Sequence, residues 1–204
     1  MSIRVLEDLT PELAGLFRES GRFAVDTETS GLDWRVDRLE ICQLYSPRTG
    51  SVIVRNSGHR PERLASVLES STVQSVFHFA PFDLRFLEKA WGTRASAVRC
   101  TKTASRVADS ELPNAEHSLK PLLQRRLGIQ LDKGAVRTSN WGAVELSAQQ
   151  IEYAIGDVRH LLDLHDDITP HLSPDQTALY EAMCEYLPSD AHREIIGVPN
   201  PLVH

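Results

Sequence analysis

Short apolar runs separated by turn residues dominate the first half of the chain and predict five strands. The predicted strands are Arg22–Asp26, Leu39–Tyr45, Ser51–Arg55, Val73–Phe79 and Ala97–Cys100. A turn with Pro47 and Gly50 joins the second strand to the third, which predicts a hairpin. The remaining order, strand then helix then strand, is typical of a mixed sheet.

Apolar stripes at helical spacing follow the strands and fill most of the second half. The predicted helices are Pro61–Glu69, Phe82–Trp91, Thr101–Ala108, Leu119–Leu127, Ser147–Thr169 and Pro174–Leu187. Ser147 and Gln150 form a capping box at the start of the longest helix, and Pro170 marks its expected end. The pattern predicts an α/β fold, a mixed five-stranded sheet flanked by helices. We expect one domain over residues 1–204, with a core at 22–170 and a C-terminal helix and tail at 174–204.

Composition favours a soluble protein of the cytoplasm. The 204 residues are 41% hydrophobic and 25% charged, which suits one globular domain. No N-terminal signal pattern is evident, and no apolar run approaches the roughly 20 residues that span a bilayer. Three widely spaced cysteines, at 42, 100 and 184, predict reduced thiols. We therefore expect a cytoplasmic protein with no membrane partner.

The charge distribution is uneven, although the net charge of −6 is acidic. Residues 94–137 hold nine basic and four acidic residues, whereas residues 142–204 hold eleven acids and two arginines. Phosphate contacts need cations, so the middle third is the candidate phosphate-facing surface. The acidic C-terminal third would repel a long polyanion, which favours a short oligonucleotide, although basic side chains on solvated helix faces would give the same count.

Carboxylates stand at three places where the pattern predicts the end of a strand or a helix face. Asp26 and Glu28 are two apart after a buried strand, so they point to one side. The pair suits a divalent metal such as Mg²⁺ or Mn²⁺, and a strand end that runs into solvent is the alternative. Asp83 lies in the first turn of a helix, where an anion is favoured. Tyr153 and Asp157 are four apart and share a helix face.

These residues resemble the three motifs of the DEDDy 3′–5′ exonucleases: D-x-E after a strand, H-x-x-x-x-D-L, and Y-x-x-x-D on a helix. Glu152 stands where the sister DEDDh class has a histidine, which favours the DEDDy class. The match to the ribonuclease D branch covers residues 22 to about 170. Further segments match that branch in order and spacing at His117–Lys120, Leu127–Ile129, Leu131–Lys133, Ser139–Trp141 and Leu146–Ser147.

The resemblance implies a ribonuclease H-like (DnaQ-like exonuclease) fold and hydrolysis with two divalent ions. It implies that Asp26, Glu28 and Asp157 hold the ion carrying the attacking water, with Asp26 bridging to a second ion. Asp83 would hold that second ion largely through water. Tyr153 would orient the attacking water, because a phenol with a pKa near 10 is a poor base at neutral pH.

Substrate contacts follow from the same resemblance, each beside a packing alternative. Leu32 would wedge against the terminal bases or close the loop core, and His78 would contact the substrate backbone or be a core histidine. Lys133 would contact phosphate, whereas Trp141 is as well explained by packing. Thr29 and Phe82, next to the first and second motifs, complete the predicted set. His160, one turn past Asp157, is more consistent with surface packing than with a metal.

The leading hypothesis is a 3′–5′ exoribonuclease that degrades short single-stranded RNA to nucleoside 5′-monophosphates. The tail Tyr186–Pro188 and the motif Cys100–Ser105 are similar to the nanoRNase C type of this family, which assembles into a ring. A homo-oligomer is therefore expected. The alternatives are trimming of tRNA or other RNA 3′ ends, a DNA exonuclease, and, more remotely, a non-catalytic nucleic-acid-binding module.

Overall fold

A computed structural model describes residues 3–131 and 139–202 of the chain. Its strands are β1 Arg4–Leu6, β2 Arg22–Thr29, β3 Leu39–Ser46, β4 Gly50–Arg55, β5 Gln74–Phe77 and β6 Val98–Cys100. Its helices are α1 Pro11–Ser20, α2 Glu62–Leu68, α3 Ala80–Trp91, α4 Thr101–Ala108, α5 Leu119–Leu127, α6 Ala148–Arg159, α7 Leu161–Ile168 and α8 Pro174–Ile195. Short 3₁₀ turns occupy Asn114–His117 and Thr169–His171.

One mixed sheet runs through the molecule in the order β1-β4-β3-β2-β5-β6. The β3–β4 hairpin is confirmed, and β3 is antiparallel to both of its neighbours. The pairs β1–β4, β2–β5 and β5–β6 are parallel. The chain leaves β2 toward β3 on one side, while β5 lies on the other side, so the carboxyl end of β2 borders the crevice where open α/β sheets bind ligands.

Within the described residues the mixed sheet has six strands, one more than the five predicted. Residues 4–6 form a three-residue edge strand that pairs with β4, and the helix α1 that follows was also missed. Thr10 caps α1, accepting a hydrogen bond from the Leu13 amide, and Leu13 and Phe17 are buried. Three residues are too few to show the alternation of buried and exposed side chains that identifies a strand, so β1 is defined only by its pairing with β4.

The predicted helix Ser147–Thr169 is two helices, with His160 between them at φ −111° and ψ 5°. The two halves pack on different neighbours, α6 on β2 and β3 and α7 on α4 and α5. Packing therefore interrupts the helix at His160, although the apolar stripe is continuous there and the sequence has neither a proline nor a capping residue. Conversely, α8 continues through Pro188 to Ile195, beyond the predicted end at Leu187, because Arg85 of α3 holds its last turn through Glu194 at 2.8 Å.

Most of the buried apolar side chains form one large cluster around the sheet. A smaller cluster of Ile41, Ile53, Trp141 and Ala154 lies where α6 covers strands β3 and β4. All three cysteines are buried free thiols, as predicted. In the described part of the chain, no helix combines the length and apolar character needed to cross a bilayer.

Candidate active site

Strand β2 delivers the first two carboxylates to the carboxyl edge of the sheet. Phe23, Ala24 and Val25 are fully buried and anchor the strand, whereas Asp26 and Glu28 are half-buried. The two acids share a face because successive strand residues alternate. Pairing with β3 shifts register between Glu28 and Thr29, so the regular ladder ends beside the two acids.

Helix α6 brings the third carboxylate to the same point. Its capping box is formed by Ser147 and Gln150, as predicted. Ala154 packs against the strands, and Asp157, 7% exposed, follows one turn after Tyr153. One carboxylate oxygen from each of Asp26, Glu28 and Asp157 lies within 4.8 Å of the other two. Side chains more than a hundred residues apart in sequence therefore converge on one anionic centre.

Asp83 lies outside that group of oxygens but touches the same strand. Its Oδ1 accepts a hydrogen bond of 2.7 Å from the hydroxyl of Thr27, the residue between the two β2 acids. Burial raises the pKa of Asp83 from 3.8 to about 7, and hydrogen bonds from Thr27 and from its own backbone amide oppose the rise. Burial and then the charges of Asp83 and Asp26 raise the pKa of Cys42, so both carboxylates lie near that thiol.

Gln43 is a site residue that the sequence prediction missed. It is fully buried on β3, directly opposite Asp26, and its Nε2 donates a 2.6 Å hydrogen bond to Asp26 Oδ2. This bond fixes one carboxylate oxygen of the cluster. The available signal was a glutamine between apolar neighbours, Cys42 and Leu44, on a predicted strand, since a buried amide needs partners.

The loop after β2 presents Leu32 to solvent on a tightly bonded turn. Leu32 is 77% exposed, and the Thr29 hydroxyl donates to the Gly31 carbonyl at 2.5 Å. Asp37 Oδ2 accepts from the Asp33 amide at 2.9 Å. A Cβ on Gly31 would lie 2.3 Å from that same Oδ2, so a larger residue there would displace the Asp37 carboxylate from its bond to Asp33. This exposure agrees with a wedge rather than with closing the loop core, while the substrate contact itself stays a prediction.

The other predicted substrate residues differ in exposure. His78 is half-buried, with Nδ1 2.9 Å from the Thr101 hydroxyl, and Phe82 is half-buried against Phe86. Trp141 is only 2% exposed and its ring centroid lies 5.8 Å from that of Tyr153. This burial favours the packing alternative for Trp141, while its substrate contact stays an untested prediction. Lys133 lies outside the described residues.

The two histidines in the predicted helix Ser147–Thr169 are not part of the carboxylate centre. His160 stands at the α6–α7 junction with Nδ1 3.9 Å from Asp163, as expected of a surface packing role. His165 is buried, with Nε2 3.1 Å from the Tyr180 hydroxyl. Neither belongs to the group of potential metal ligands found in the described residues.

Several cations of the basic middle third are already paired with carboxylates. Arg125 pairs with Glu116 at 3.3 Å, and Arg126 pairs with Asp167 at 2.6 Å. Lys102 and Arg106, one turn apart on α4, form no ion pair within residues 3–131 and 139–202. Arg99 of β6 and Lys120 of α5 form no ion pair in those residues either, so the described part of this third offers cations for phosphate on β6, α4 and α5.

Two comparisons relate the sequence to known proteins. The family model described as 3′–5′ exonuclease matches residues 5–173. DNA polymerase I of Aquifex aeolicus is 33% identical over 140 residues, covering 69% of this chain and 22% of that protein. Ribonuclease D of Haemophilus influenzae is 27% identical over 194 residues, covering 93% and 47%. The chain thus spans less than half the length of these curated relatives.

Solved structures match over the whole chain. Brucella melitensis NrnC bound to pGG is 30% identical with a TM-score of 0.88, covering 100% of this chain and 99% of that one. The same protein with bound Mg²⁺ is 29% identical, with a TM-score of 0.88 and full coverage of both chains. Escherichia coli RNase D is 18% identical with a TM-score of 0.78 and covers 94% of this chain and 51% of that one, a likeness of fold alone. These matches confirm the predicted ribonuclease H-like fold.

Proposed function

The chain belongs to the 3′–5′ exonuclease family, and from this premise we propose that it is a metal-dependent 3′–5′ exoribonuclease. Its substrates are short single-stranded RNAs, and its products are nucleoside 5′-monophosphates. The observation that carries this proposal is the convergence of Asp26, Glu28 and Asp157 within 4.8 Å. Three carboxylates this close repel one another unless a cation lies among them.

The donor set fits divalent ions. All of the converging donors are carboxylate oxygens, the ligands that Mg²⁺ and Mn²⁺ prefer. Asp26, Glu28 and Asp157 would hold the ions, and Asp83 would assist through water. Two such ions, when bound, supply charge stabilisation to the attacked phosphate and the leaving oxygen and lower the pKa of water.

The chain's own residues orient the reaction around those ions. The ring of Tyr153 packs against the ring of Trp141, with centroids 5.8 Å apart, and this contact restricts the orientation of the tyrosine. Its hydroxyl positions the attacking water by hydrogen bonding rather than by removing its proton. Gln43 holds Asp26 in one orientation through the 2.6 Å hydrogen bond. Leu32 projects from its turn toward solvent, where it can separate the last base from its neighbour.

A short RNA substrate is supported by three observations. The NrnC structure of Brucella melitensis holds pGG, and that chain matches this one end to end. The C-terminal third carries a large excess of acids, which disfavours long polyanions. Within the described residues of the basic middle third, several cations are already paired with carboxylates, which leaves fewer for phosphate contacts. A DNA exonuclease is the second candidate, favoured specifically by the similarity to DNA polymerase I.

We extend the proposal to the whole protein. The chain acts as a single catalytic domain in the cytoplasm, without a membrane partner. It forms a homo-oligomer, and an apolar stripe on α8 offers a contact surface. Leu179, Met183 and Tyr186 lie on one face at spacings of four and three, with exposed fractions of 53%, 43% and 37%.

The test uses 5′-labelled RNAs of two to twenty nucleotides, and DNAs of the same sequences, incubated with Mg²⁺, Mn²⁺ or EDTA. We expect stepwise shortening from the 3′ end, fastest on the shortest RNAs, and none in EDTA. Asp26→Ala should reduce activity to background. Tyr153→Phe should slow it on the order of 10²-fold through misplacement of the water.

A matched control exists on α8, away from the carboxylate centre. Asp175→Ala should leave the rate unchanged, because this carboxylate is exposed and lies outside the apolar stripe. Equal activity in EDTA would refute the metal-dependent mechanism. Equal rates at all lengths would refute the preference for short substrates, and faster shortening of DNA than of RNA would favour the second candidate.

A further inference from the structure

Phe79 has an unusual backbone and an unusual exposure at the entrance to helix α3. Its φ of 71° and ψ of 49° lie in the left-handed region, and no other non-glycine residue in the described ranges has a positive φ. A bulky residue pays a steric cost in this conformation, whereas glycine and asparagine adopt it readily. The phenyl ring is nevertheless 40% exposed, so burial of the ring does not explain the choice of phenylalanine.

The position of Phe79 relates this strain to the carboxylate centre. It caps α3 between β5 and the helix, and Asp83 follows one turn later. The connection is fixed on its other side, because His78 Nδ1 lies 2.9 Å from the Thr101 hydroxyl and that hydroxyl donates to the Phe77 carbonyl at 3.2 Å. The ring is therefore held on a rigid turn beside a proposed metal ligand.

A cation completes the surface. The Lys102 ammonium, next to Thr101 at the start of α4, lies 4.5 Å from the centroid of the Phe79 ring. Burial lowers the pKa of Lys102, and the nearby charge of Arg106 lowers it further. No carboxylate pairs with either cation in the described part of the chain, so both remain available to phosphate. An exposed aromatic face beside unpaired cations is the combination that single-stranded nucleic acids bind.

We propose that Phe79 is a stacking platform for one base of the oligonucleotide, held beside the carboxylate centre by its left-handed backbone and flanked by Lys102. The inference rests on the proposed function, because it assigns a binding residue to the same site. Leu32, after β2, and Phe79, after β5, then contact the substrate from two neighbouring strand ends. Strain retained at such a position is consistent with a binding role, because stability alone would favour glycine or asparagine.

Three variants separate this role from folding. Phe79→Gly and Phe79→Asn remove the ring and suit the left-handed backbone, so their melting temperatures should equal or exceed that of the wild type. Phe79→Tyr keeps a ring and serves as the matched control. Each is made in the wild type, for cleavage rates, and in Asp26→Asn, for binding of a fluorescent four-nucleotide RNA without cleavage.

The RNA is used intact and with one base at a time replaced by an abasic sugar. Loss of the ring should weaken binding of intact RNA roughly 5- to 100-fold, as expected for one stacked base. When Phe79 is present, removing one particular base should weaken RNA binding by a similar factor. In Phe79→Gly the same abasic RNA should bind almost as well as intact RNA, since both changes remove the same contact. Phe79→Tyr should bind within about threefold of phenylalanine.

The proposal would be overturned if Phe79→Gly bound intact RNA as tightly as the protein with Phe79. It would also be overturned if every abasic substitution weakened binding equally in the two proteins. These outcomes are distinct from failure of the proposed function. That function fails if the wild type cleaves no RNA, whereas the ring and abasic measurements on Asp26→Asn still decide the role of Phe79. Absence of any oligonucleotide binding would refute both.

Discussion

At the residue scale, Asp83 shows how the site is prepared for a cation. A carboxyl that is 1% exposed is costly to ionise, and the Thr27 hydroxyl and two backbone amides offset only part of that cost. Its pKa of about 7 means that, without metal, the folded chain retains a proton that the unfolded chain releases near 3.8. A cation near the cluster would favour the ionised form.

Asp83→Asn should therefore alter the pH dependence of stability in the metal-free protein. Between pH 4 and 7 the folded state binds more protons than the unfolded state, so the free energy of unfolding falls as pH rises through this window. Asparagine keeps the shape and an acceptor for Thr27 but does not titrate. Thermal unfolding in EDTA should show wild type losing more stability than Asp83→Asn from pH 5 to pH 8.

The exposed Asp175→Asn provides the control for that measurement and should follow the wild type. Adding Mn²⁺ at pH 8 should stabilise the wild type more than Asp83→Asn. Parallel pH profiles for wild type and Asp83→Asn would contradict the assignment of a raised pKa to Asp83.

At the element scale, the packing of α7 against α8 depends on a buried polar contact. His165 Nε2 lies 3.1 Å from the Tyr180 hydroxyl, which accepts a 3.3 Å hydrogen bond from the Cys100 amide of β6. Burial lowers the pKa of His165, although Asp166, with Oδ1 3.7 Å from Nδ1, opposes this effect. Two helices and a strand are thus linked through His165 and Tyr180, and folding favours the neutral form of this histidine.

Replacing His165 by glutamine should reduce the acid sensitivity of folding. Below about pH 6.5 the unfolded histidine takes up a proton that the folded one does not, so stability is lost as pH falls. The amide of glutamine can still bond Tyr180 but cannot titrate. Between pH 7 and 5 the melting temperature should fall by a few degrees less in His165→Gln than in the wild type.

His171, which is exposed on the following 3₁₀ turn, gives the matched control. His171→Gln should lose stability with acid as the wild type does. If both glutamine variants behave alike, His165 does not contribute the expected proton linkage.

At the scale of the whole molecule, the surface combines a net charge of −6 with an apolar stripe on α8. Leu179, Met183 and Tyr186 point to the same side, and exposed apolar patches on an otherwise charged surface are typical of contacts with other chains. The proposed homo-oligomer would cover this stripe.

Size-exclusion chromatography with light scattering tests that assembly. We expect a mass that is a multiple of 22.8 kDa. Met183→Glu should shift it toward the monomer, because a buried unpaired carboxylate disfavours the contact. Glu181→Lys, on the opposite face of α8, should leave the mass unchanged. A single species of 22.8 kDa for the wild type would contradict the proposal.

The prediction from sequence succeeded where a periodic pattern extends over several turns or strand residues, or where a motif has strict spacing. The hairpin, the helices α4 and α5, and the capping box at Ser147 all match the structure. It failed for β1, which is three residues long, and at His160, where neighbouring helices decide the break. It also ended α8 too early, at Leu187, whereas the helix continues through Pro188 to Ile195 with Glu194 paired to Arg85.

The sequence by itself determined the family and the residues that carry the carboxylates, because D-x-E, H-x-x-x-x-D-L and Y-x-x-x-D are local patterns with strict spacing. Only the tertiary structure brought Asp26, Glu28 and Asp157 together, buried Asp83 against Thr27 and set Gln43 opposite Asp26. It also turned Trp141 inward and left Phe79 exposed on a left-handed backbone. Distances across the sheet and burial depend on register and packing between segments far apart in the chain, which local spacing does not encode.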